Sequence, residues 1–404
     1  MSIPVLIAVT GILAVGPPAR AAPAPAQELH RADSLVHSWV AEERIPGAVL
    51  LVSRDGEPLF SRAYGSAQSV GAGPLRDQVP MTRETIFDLA SITKVMATTM
   101  AVMLLVDRDQ VELDAPVSRY LSDFRGGGKD EITVEHLLTH RSGLDPWQPI
   151  YYQATNSGEA YEYIRDLPLA WRVGAGRHYS DLGFMLLGLV VESVTGQSLA
   201  AFLHASLYAP LGLEATGFMG RQDPDGQAGA RYAATSRGNP FEHRMVYDPD
   251  FGYRIGGDPD AWTGWRRHTL LGEVNDGNAY HAFNGVAGHA GLFSTAAELD
   301  VLLRLLLGDG ELGGVRYLSR DVVDRFLTST GDAQALGWQI PEYAPPSAFS
   351  HTGFTGTFVL GVRETGLGIV LLTNRQNGGV DRETAYPDVG PLQRDVTRAI
   401  VGTR

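Results

Sequence analysis

The amino-acid sequence predicts an α+β fold: one antiparallel sheet built from both ends of the chain, flanked by helices, with a mainly helical region inserted between them. Near the N-terminus, apolar runs at 47–53 and 58–64 are joined by a turn containing Asp55-Gly56, a strong β-hairpin signal. Near the C-terminus, the apolar runs 358–363 and 367–373 flank a second turn, which contains Gly366. Apolar residues between these ends recur mainly at helical spacing.

Helical periodicity defines the remaining elements. A first helix is expected where Leu29, Ala32, Val36 and Val40 recur on one face. The clearest further helices are predicted at 95–106, 134–139, 182–194, 296–307 and 392–401. Thr295, followed three residues later by Glu298, predicts a reciprocal capping box at one helix start. We expect one domain over 22–404, with its sheet region at about 27–85 and 330–404 and its helical region at about 86–329.

Composition excludes several classes of function. The chain has 404 residues, of which 44% are hydrophobic, so it can bury a large core. Its formal net charge of -13 argues against a nucleic acid partner, because such binding requires clustered Lys and Arg. The sequence contains no cysteine, which excludes disulfides, thiolate nucleophiles and Cys-ligated metals. We expect neither a cofactor nor a metal.

The N-terminal residues have the pattern of an export signal. An apolar stretch at 3–16 is followed by Pro17-Pro18 and the small-residue pattern Ala19-Arg20-Ala21. This pattern predicts a signal peptide at 1–21 and a periplasmic or secreted protein. No later segment supplies about 18 consecutive uncharged apolar residues, so we expect no stable membrane span after cleavage.

Ser91 and Lys94 form the central candidate site. Residues three apart share a helix face, so the hydroxyl and the amine can meet at the start of an apolar, buried helix. Burial disfavours the ammonium, and a neutral amine next to a serine is a competent general base. The helix N-terminus would favour an oxyanion. In the alternative, Ser91 merely caps the helix and Lys94 pairs with an acid at the rim, although Lys94 is one of only two lysines in the chain.

Two further segments carry polar groups that suit hydrolysis. Tyr179 lies just before an apolar helix, where its phenol could transfer a proton. His351, Thr352 and Gly353 precede a strand, so their backbone could line a cleft at a sheet edge. Taken alone, the first segment is equally typical of a core tyrosine, and the second of an ordinary Gly-rich turn.

In this order, the three segments resemble the serine β-lactamase and penicillin-binding-protein superfamily, especially class C β-lactamases and the related DD-peptidases and esterases. The family pattern is Ser-x-x-Lys, then Tyr-x-Asn, then Lys-Thr-Gly or His-Thr-Gly. The resemblance extends from about Ile45 to the C-terminus and includes the flanking segments 135–144 and 288–295. It implies a β-lactamase/transpeptidase-like fold.

The resemblance also implies roles for individual residues. Ser91 would be the acylated nucleophile, Lys94 its proton acceptor and Tyr179 the second acid/base group. The substrate would lie along His351, Thr352 and Gly353, with the backbone N–H groups of Phe354 and Ser91 forming the oxyanion hole.

Two positions depart from the common pattern. Asp181 replaces Asn and cannot donate a hydrogen bond; it could instead pair with Lys94, keeping that lysine charged and moving the base role towards Tyr179. His351 replaces Lys, which suggests peptidase or esterase chemistry more than efficient β-lactam turnover. With a reference pKa of about 6.5, imidazole at this position would gain a charge for a substrate carboxylate only in mild acid.

Other interpretations remain open. His136 and His140, four residues apart on a predicted helix, could bind zinc. A Ser-His-Asp hydrolase is disfavoured, because the chain has no Gly-x-Ser-x-Gly elbow. A non-catalytic penicillin receptor would be acylated at Ser91 without turnover. Among enzymes, the sequence leaves open whether the substrate is a D-Ala-D-Ala peptide of peptidoglycan, a small-molecule ester or a β-lactam.

Overall fold

A computed structural model describes residues 26–69, 78–219, 231–251, 253 and 258–402. The predicted signal peptide, 1–21, lies outside the described residues. Within them, the strands are β1 (Gly47–Arg54), β2 (Glu57–Gln68), β3 (Val79–Pro80), β4 (Phe87–Asp88), β5 (Gly217–Phe218), β6 (Leu292–Ser294), β7 (Glu311–Leu312), β8 (Val315–Arg316), β9 (Ala348–Thr352), β10 (Thr357–Val362) and β11 (Leu367–Thr373).

The α-helices alternate with these strands and concentrate in the middle of the chain, as the periodicity predicts. They are α1 (Ala26–Ala41), α2 (Met100–Asp107), α3 (Val134–Leu138), α4 (Ser157–Asp166), α5 (Asp181–Thr195), α6 (Leu199–Leu203), α7 (Pro240–Tyr247), α8 (Gly277–Ala282), α9 (Ala296–Leu307), α10 (Arg320–Leu327) and α11 (Gly390–Val401).

The main sheet joins the two ends of the chain. Its six strands lie in the order β3-β2-β1-β11-β10-β9, and the N-terminal β1 pairs antiparallel with the C-terminal β11, with Ala48 opposite Thr373. This arrangement confirms the predicted α+β fold with a sheet built from both termini. The first hairpin turns where expected, because Asp55 and Gly56 both adopt positive φ, at 49° and 82°.

Both faces of the main sheet are buried. Alternate residues of β1 point to opposite faces. Leu50 and Val52 pack in the cluster that contains α1 and α11, whereas Val49 and Leu51 join the large core that contains α9 and the inserted region. Burial on both faces explains why these strands are continuous apolar runs in the sequence.

The inserted region differs from the prediction in two details. It contains a small antiparallel sheet in the order β4-β6-β5, which the sequence did not indicate. The capping box forms only in part: the Thr295 hydroxyl accepts the N–H of Glu298, but the Glu298 carboxylate accepts the N–H groups of Glu214 and Ala215 instead of returning to Thr295. This carboxylate therefore anchors the loop that leads into β5.

The helix expected at 95–106 begins irregularly. A 3₁₀ turn at Ala90–Ile92 and a π-helical segment at Lys94–Thr99 precede α2. Within the described residues, the stretch Ala90–Asp107 is long and apolar enough to cross a membrane, as is the sharply bent pair Asp181–Thr195 and Leu199–Tyr208 taken together. The first stretch is 83% buried inside the protein, which is typical of a core helix.

Candidate active site

Ser91 lies on a strained turn between β4 and the central helix. The preceding residue, Ala90, has a φ of +46°, a conformation that non-glycine residues adopt at a cost and that concentrates at functional sites. The buried Asp88 carboxylate holds the turn by accepting the N–H groups of Ala90 at 2.8 Å and Asn275 at 2.6 Å. Burial raises the pKa of Asp88 to about 6.

Lys94 is fully buried, and its ammonium group has three close polar neighbours. Its Nζ donates to Ser91 Oγ at 3.0 Å and to the His289 carbonyl at 3.2 Å, and it lies 2.7 Å from Asp181 Oδ1. Burial alone would lower the pKa of Lys94, but the negative charge of Asp181 and the contact with Tyr179 outweigh it, and the pKa is raised. Lys94 is therefore an ammonium in the resting protein.

This geometry corrects one sequence expectation and supports another. The neutral amine expected from burial is wrong for the resting state, because the charge of Asp181 reverses the effect of burial. The expected pairing of Asp181 with Lys94 is present. Ser91 does not cap the helix: the capping position is Leu89, and no side chain caps the turn. Ser91 remains partly exposed, as a nucleophile must be.

The Tyr179 phenol contacts both Ser91 and Lys94. Burial is the largest effect on the pKa of Tyr179 and raises it, and the negative charge of Asp181 acts in the same direction. The Lys94 ammonium lowers this pKa, but the net shift is upward. The phenol is thus neutral at rest. The structure brings together all three residues that the sequence predicted as catalytic.

His140 fixes the position of Tyr179. Its ring lies against the tyrosine ring, with centroids 4.5 Å apart, and its Nδ1 accepts the N–H of Ser180 at 3.1 Å. Ser180 in turn caps α5 by accepting the N–H of Gly183, so the tyrosine is held at a helix start. Burial holds the pKa of His140 well below 6.5, which keeps Nδ1 available as an acceptor.

The same contacts bear on the zinc interpretation of His136 and His140. His136 Nδ1 accepts the N–H of Thr133, whose hydroxyl accepts the N–H of His136, which forms a capping box at the start of α3. Each imidazole therefore satisfies the backbone at a helix start, and their geometry gives zinc no support.

The turn after β9 docks directly onto the segment before Ser91. Thr355 Oγ1 donates to the Asp88 carbonyl at 2.7 Å, and Thr357 Oγ1 donates to the Leu89 carbonyl at 3.0 Å. A Cβ on Gly353 would lie 2.1 Å from Thr357 Oγ1 and 2.4 Å from the Leu89 oxygen. Glycine is therefore required for the predicted substrate-binding segment to approach the backbone next to Ser91.

His351 is more deeply buried than the sequence suggested. Its side chain is 1% exposed, and its Nδ1 lies 2.8 Å from the carbonyl of Thr352. Burial, reinforced by the nearby Lys94 charge, lowers the pKa of His351 to about 3. The expectation that this imidazole becomes a cation near pH 6.5 is therefore wrong, because the sequence does not reveal its burial.

A pH prediction follows for His351. The lowered pKa keeps the ring neutral from pH 8 to below 5.5. We expect the ratio of kcat/KM for a carboxylate-bearing ester to that for a neutral ester to show the same pH dependence from pH 5.5 to 8 in the wild type and in His351→Gln. A ratio that rises towards acid in the wild type but not in His351→Gln would contradict the buried, neutral imidazole.

These residues open into one cleft of about 250 Å³. Its wall is largely aromatic and its floor is polar and acidic. The described residues that line it are Ala90, Ser91, Pro146, Trp147, Tyr179, Asp181, Phe241, Glu242, Met245, Tyr253, Asn275, Asp276, His289, Ala290 and Phe354.

Sequence reasoning missed much of this lining. Trp147, Glu242 and Asp276 stand in no recognisable motif, because each comes from a different loop or short helix. His289 belongs to the segment 288–295, which carried the resemblance but had no assigned role. The spacing of aromatic and acidic residues gave no signal that would have united them.

Asp181, Asp276 and His289 could together hold a cation. One ligand atom from each lies within 4.8 Å of the others. The Lys94 ammonium, 2.7 Å from Asp181, already supplies one positive charge at this position.

Comparison with known proteins places this chain in a family. Residues 32–391 match the family model described as Beta-lactamase. The chain is 33% identical over 390 residues to an N-acetylmuramyl-L-alanine amidase of Bacillus subtilis (strain 168), covering 90% of this chain and 84% of that protein. It is 31% identical over 384 residues to a putative D-alanyl-D-alanine carboxypeptidase of Escherichia coli (strain K12), covering 87% and 84%.

The fold comparison agrees. A penicillin-binding protein homologue from Caulobacter crescentus superimposes with a TM-score of 0.70 at 19% identity, covering 94% of this chain and 98% of that one. The family model matches nearly the whole chain, and the two relatives are more than 30% identical over most of their length, so this protein is a member of the Beta-lactamase family and a hydrolase of the β-lactamase and penicillin-binding-protein superfamily.

Proposed function

We propose that this protein is an exported serine hydrolase that forms an acyl-enzyme on Ser91, with DD-peptidase or esterase activity and the ability to bind penicillin. The observation that carries the proposal is the contact of one buried lysine and one buried tyrosine with a partly exposed serine at the floor of a cleft. The relatives named as carboxypeptidase and amidase support a peptidoglycan-type substrate and, with it, a location outside the cytoplasm.

The proposed reaction begins from a form that has one proton fewer than the resting state. At rest Lys94 is charged and Tyr179 is neutral, so neither can accept a proton. Once Lys94 and Tyr179 together have lost one proton, this pair accepts the Ser91 proton while Ser91 Oγ bonds to the substrate carbonyl carbon. The pair then gives that proton to the departing oxygen or nitrogen, and water repeats the sequence on the acyl ester.

The backbone favours the tetrahedral intermediate of this reaction. Among the described residues, the N–H groups of Ser91 and Phe354 donate no hydrogen bond within the protein, so both are free for a substrate oxygen. Gly353 allows the two segments that carry them to approach each other closely. These two groups are the proposed oxyanion hole.

Asp181→Asn tests whether the Asp181 carboxylate controls how many protons Lys94 and Tyr179 carry together. The negative charge of Asp181 raises the pKa of both Lys94 and Tyr179, whereas burial of Lys94 lowers its pKa. Without this charge, the form that lacks one proton becomes populated at lower pH. We therefore expect the acidic limb of the kcat/KM profile for a neutral ester to shift to lower pH.

The matched control for this shift is Asp145→Asn, which neutralises a nearby carboxylate bonded to Gln148 instead of Lys94. The acidic limb of its kcat/KM profile should coincide with that of the wild type. A limb that stays in place in Asp181→Asn would mean that Asp181 does not control the ionisation of the catalytic pair.

Intact-mass analysis after exposure to benzylpenicillin tests the acyl-enzyme itself. We expect one adduct of the mass of the drug, absent in Ser91→Ala, that persists for many turnovers of an activated ester. A rapid return to native mass would indicate a β-lactamase. A permanent adduct in a protein that hydrolyses no ester or D-Ala-D-Ala peptide would indicate a receptor, and the absence of an adduct would count against penicillin binding.

A further inference from the structure

The catalytic cleft has an acidic lining. Three of the described lining residues are carboxylic acids, namely Asp181, Glu242 and Asp276, and none is lysine or arginine. Lys94 lies beneath the lining and is completely buried. A substrate therefore meets the side chains of acids before it meets a cation.

Two of the three acids are already neutralised. Asp181 forms an ion pair with Lys94. Burial, together with the charge of Asp276, raises the pKa of Glu242 to about 8, so this acid is mostly protonated at neutral pH. Its Oε1 accepts the N–H of Gly277, whereas its Oε2 is buried without a hydrogen-bond partner among the described residues.

Asp276 keeps its charge. Burial would raise the pKa of this carboxyl group, but attraction and hydrogen bonding to His289 outweigh burial, and the pKa is lowered. Its Oδ1 accepts the N–H of Ala279 at the start of α8 and lies 2.9 Å from His289 Nε2. The side chain is 18% exposed. Asp276 is thus ionised and accessible from the cleft.

His289 contacts only one oxygen of the Asp276 carboxylate, Oδ1. It is 1% exposed, and its Nδ1 has no hydrogen-bond partner among the described residues. Asp276 Oδ2 accepts no hydrogen bond among the described residues and is not one of their buried polar atoms, so this oxygen is open to a substrate group.

The rest of the cleft suits the apolar part of a cationic substrate. Trp147 and Tyr253 pack edge to face with centroids 5.0 Å apart, and Phe241 lies 5.1 Å from Phe354 across the rim. Phe354 is 38% exposed. Aromatic faces attract cations, and their low polarity strengthens the field of a nearby carboxylate.

We propose that Asp276 is a specificity residue that binds an ammonium group of the substrate, so that the enzyme prefers esters and peptides whose acyl part carries an amine. The proposal rests on the acyl-enzyme chemistry proposed for Ser91. The site selects against a free carboxylate on the same part of the substrate, because such a group would face Asp276.

Three p-nitrophenyl esters of equal chain length test this preference. The 6-aminohexanoate ester is cationic, the heptanoate ester is its neutral isostere, and the adipate monoester is anionic. We expect kcat/KM at pH 7 to fall in that order, with about tenfold or more between the cationic and neutral esters, as for a charge-assisted hydrogen bond. Equal or reversed values in the wild type would overturn the proposal without any variant.

Asp276→Asn assigns the preference to its residue. Asparagine caps a helix as well as aspartate does, so α8 should keep its start. The ratio of the cationic to the neutral ester should fall to near one in Asp276→Asn. Asp123→Asn removes the same charge from an exposed residue outside the cleft and should keep the ratio of the wild type. A ratio that survives in Asp276→Asn would overturn the assignment.

The outcomes separate this proposal from the proposed function. If the wild type hydrolyses none of the esters, the function fails; if it hydrolyses all three equally, only the specificity fails. The competing occupant is a divalent cation on Asp181, Asp276 and His289. Calorimetric binding of zinc chloride that is lost in Asp276→Asn, in an enzyme without preference for the cationic ester, would assign the cluster to a metal instead.

Discussion

Replacing Ser91 by alanine is expected to abolish hydrolysis of an activated ester, to the level of the uncatalysed reaction, while the protein stays folded. In the proposed reaction this hydroxyl forms the acyl bond, and among the described residues that line the cleft no other is a serine, threonine or lysine. The variant loses one hydrogen bond from the Lys94 ammonium, and a hydrogen bond to a charged group contributes about 1.5–3 kcal/mol to stability. Initial rates and thermal unfolding of the purified variant measure both effects.

The control for this variant is Ser193→Ala, which removes an exposed hydroxyl bonded to the Tyr120 carbonyl. It should retain the rate of the wild type. Ester turnover that persists in folded Ser91→Ala would remove the nucleophile from the mechanism, and with it the acyl-enzyme.

The sequence was sufficient to predict the main sheet, because the relevant strands are long and buried on both faces. The prediction for β11, Leu367–Thr373, is confirmed at both ends, and every one of its residues is buried. The small sheet escaped prediction because β4 and β5 have two residues each, too few for any periodicity. Pairing there depends on neighbours that are distant in the chain.

For the site, the sequence was sufficient to predict which residues lie together but not their electrostatics. Ser91, Lys94 and Tyr179 meet as expected, since spacing on a helix and family resemblance both pointed to them. Their protonation depends on Asp181 and on burial, which only the folded arrangement fixes. His351 shows the same limit: its residue type suggested a switch near neutral pH, and its burial removes that switch.

Lys94 and Tyr179 are expected to act as one unit with Ser91. Lys94→Ala and Tyr179→Phe should each lower kcat for an activated ester by about 10²–10⁴-fold, the range for proton transfer by a positioned side chain. Because the phenol contacts both the serine and the lysine, the double variant should lose far less than the product of the single losses. The remaining lysine, Lys129, provides the control Lys129→Ala, which should leave kcat unchanged.

The effects of these variants on stability must be separated from their effects on catalysis. Lys94→Ala leaves the Asp181 carboxylate without its cation, and the loss of one partner from a buried pair costs about 3–5 kcal/mol. Lys94→Ala/Asp181→Asn removes both charges and should recover much of that stability without recovering activity. Recovery of activity in this variant would show that Lys94 only neutralises Asp181. Losses that multiply in Lys94→Ala/Tyr179→Phe would instead assign the two residues separate tasks, with the proton taken up by one of them alone.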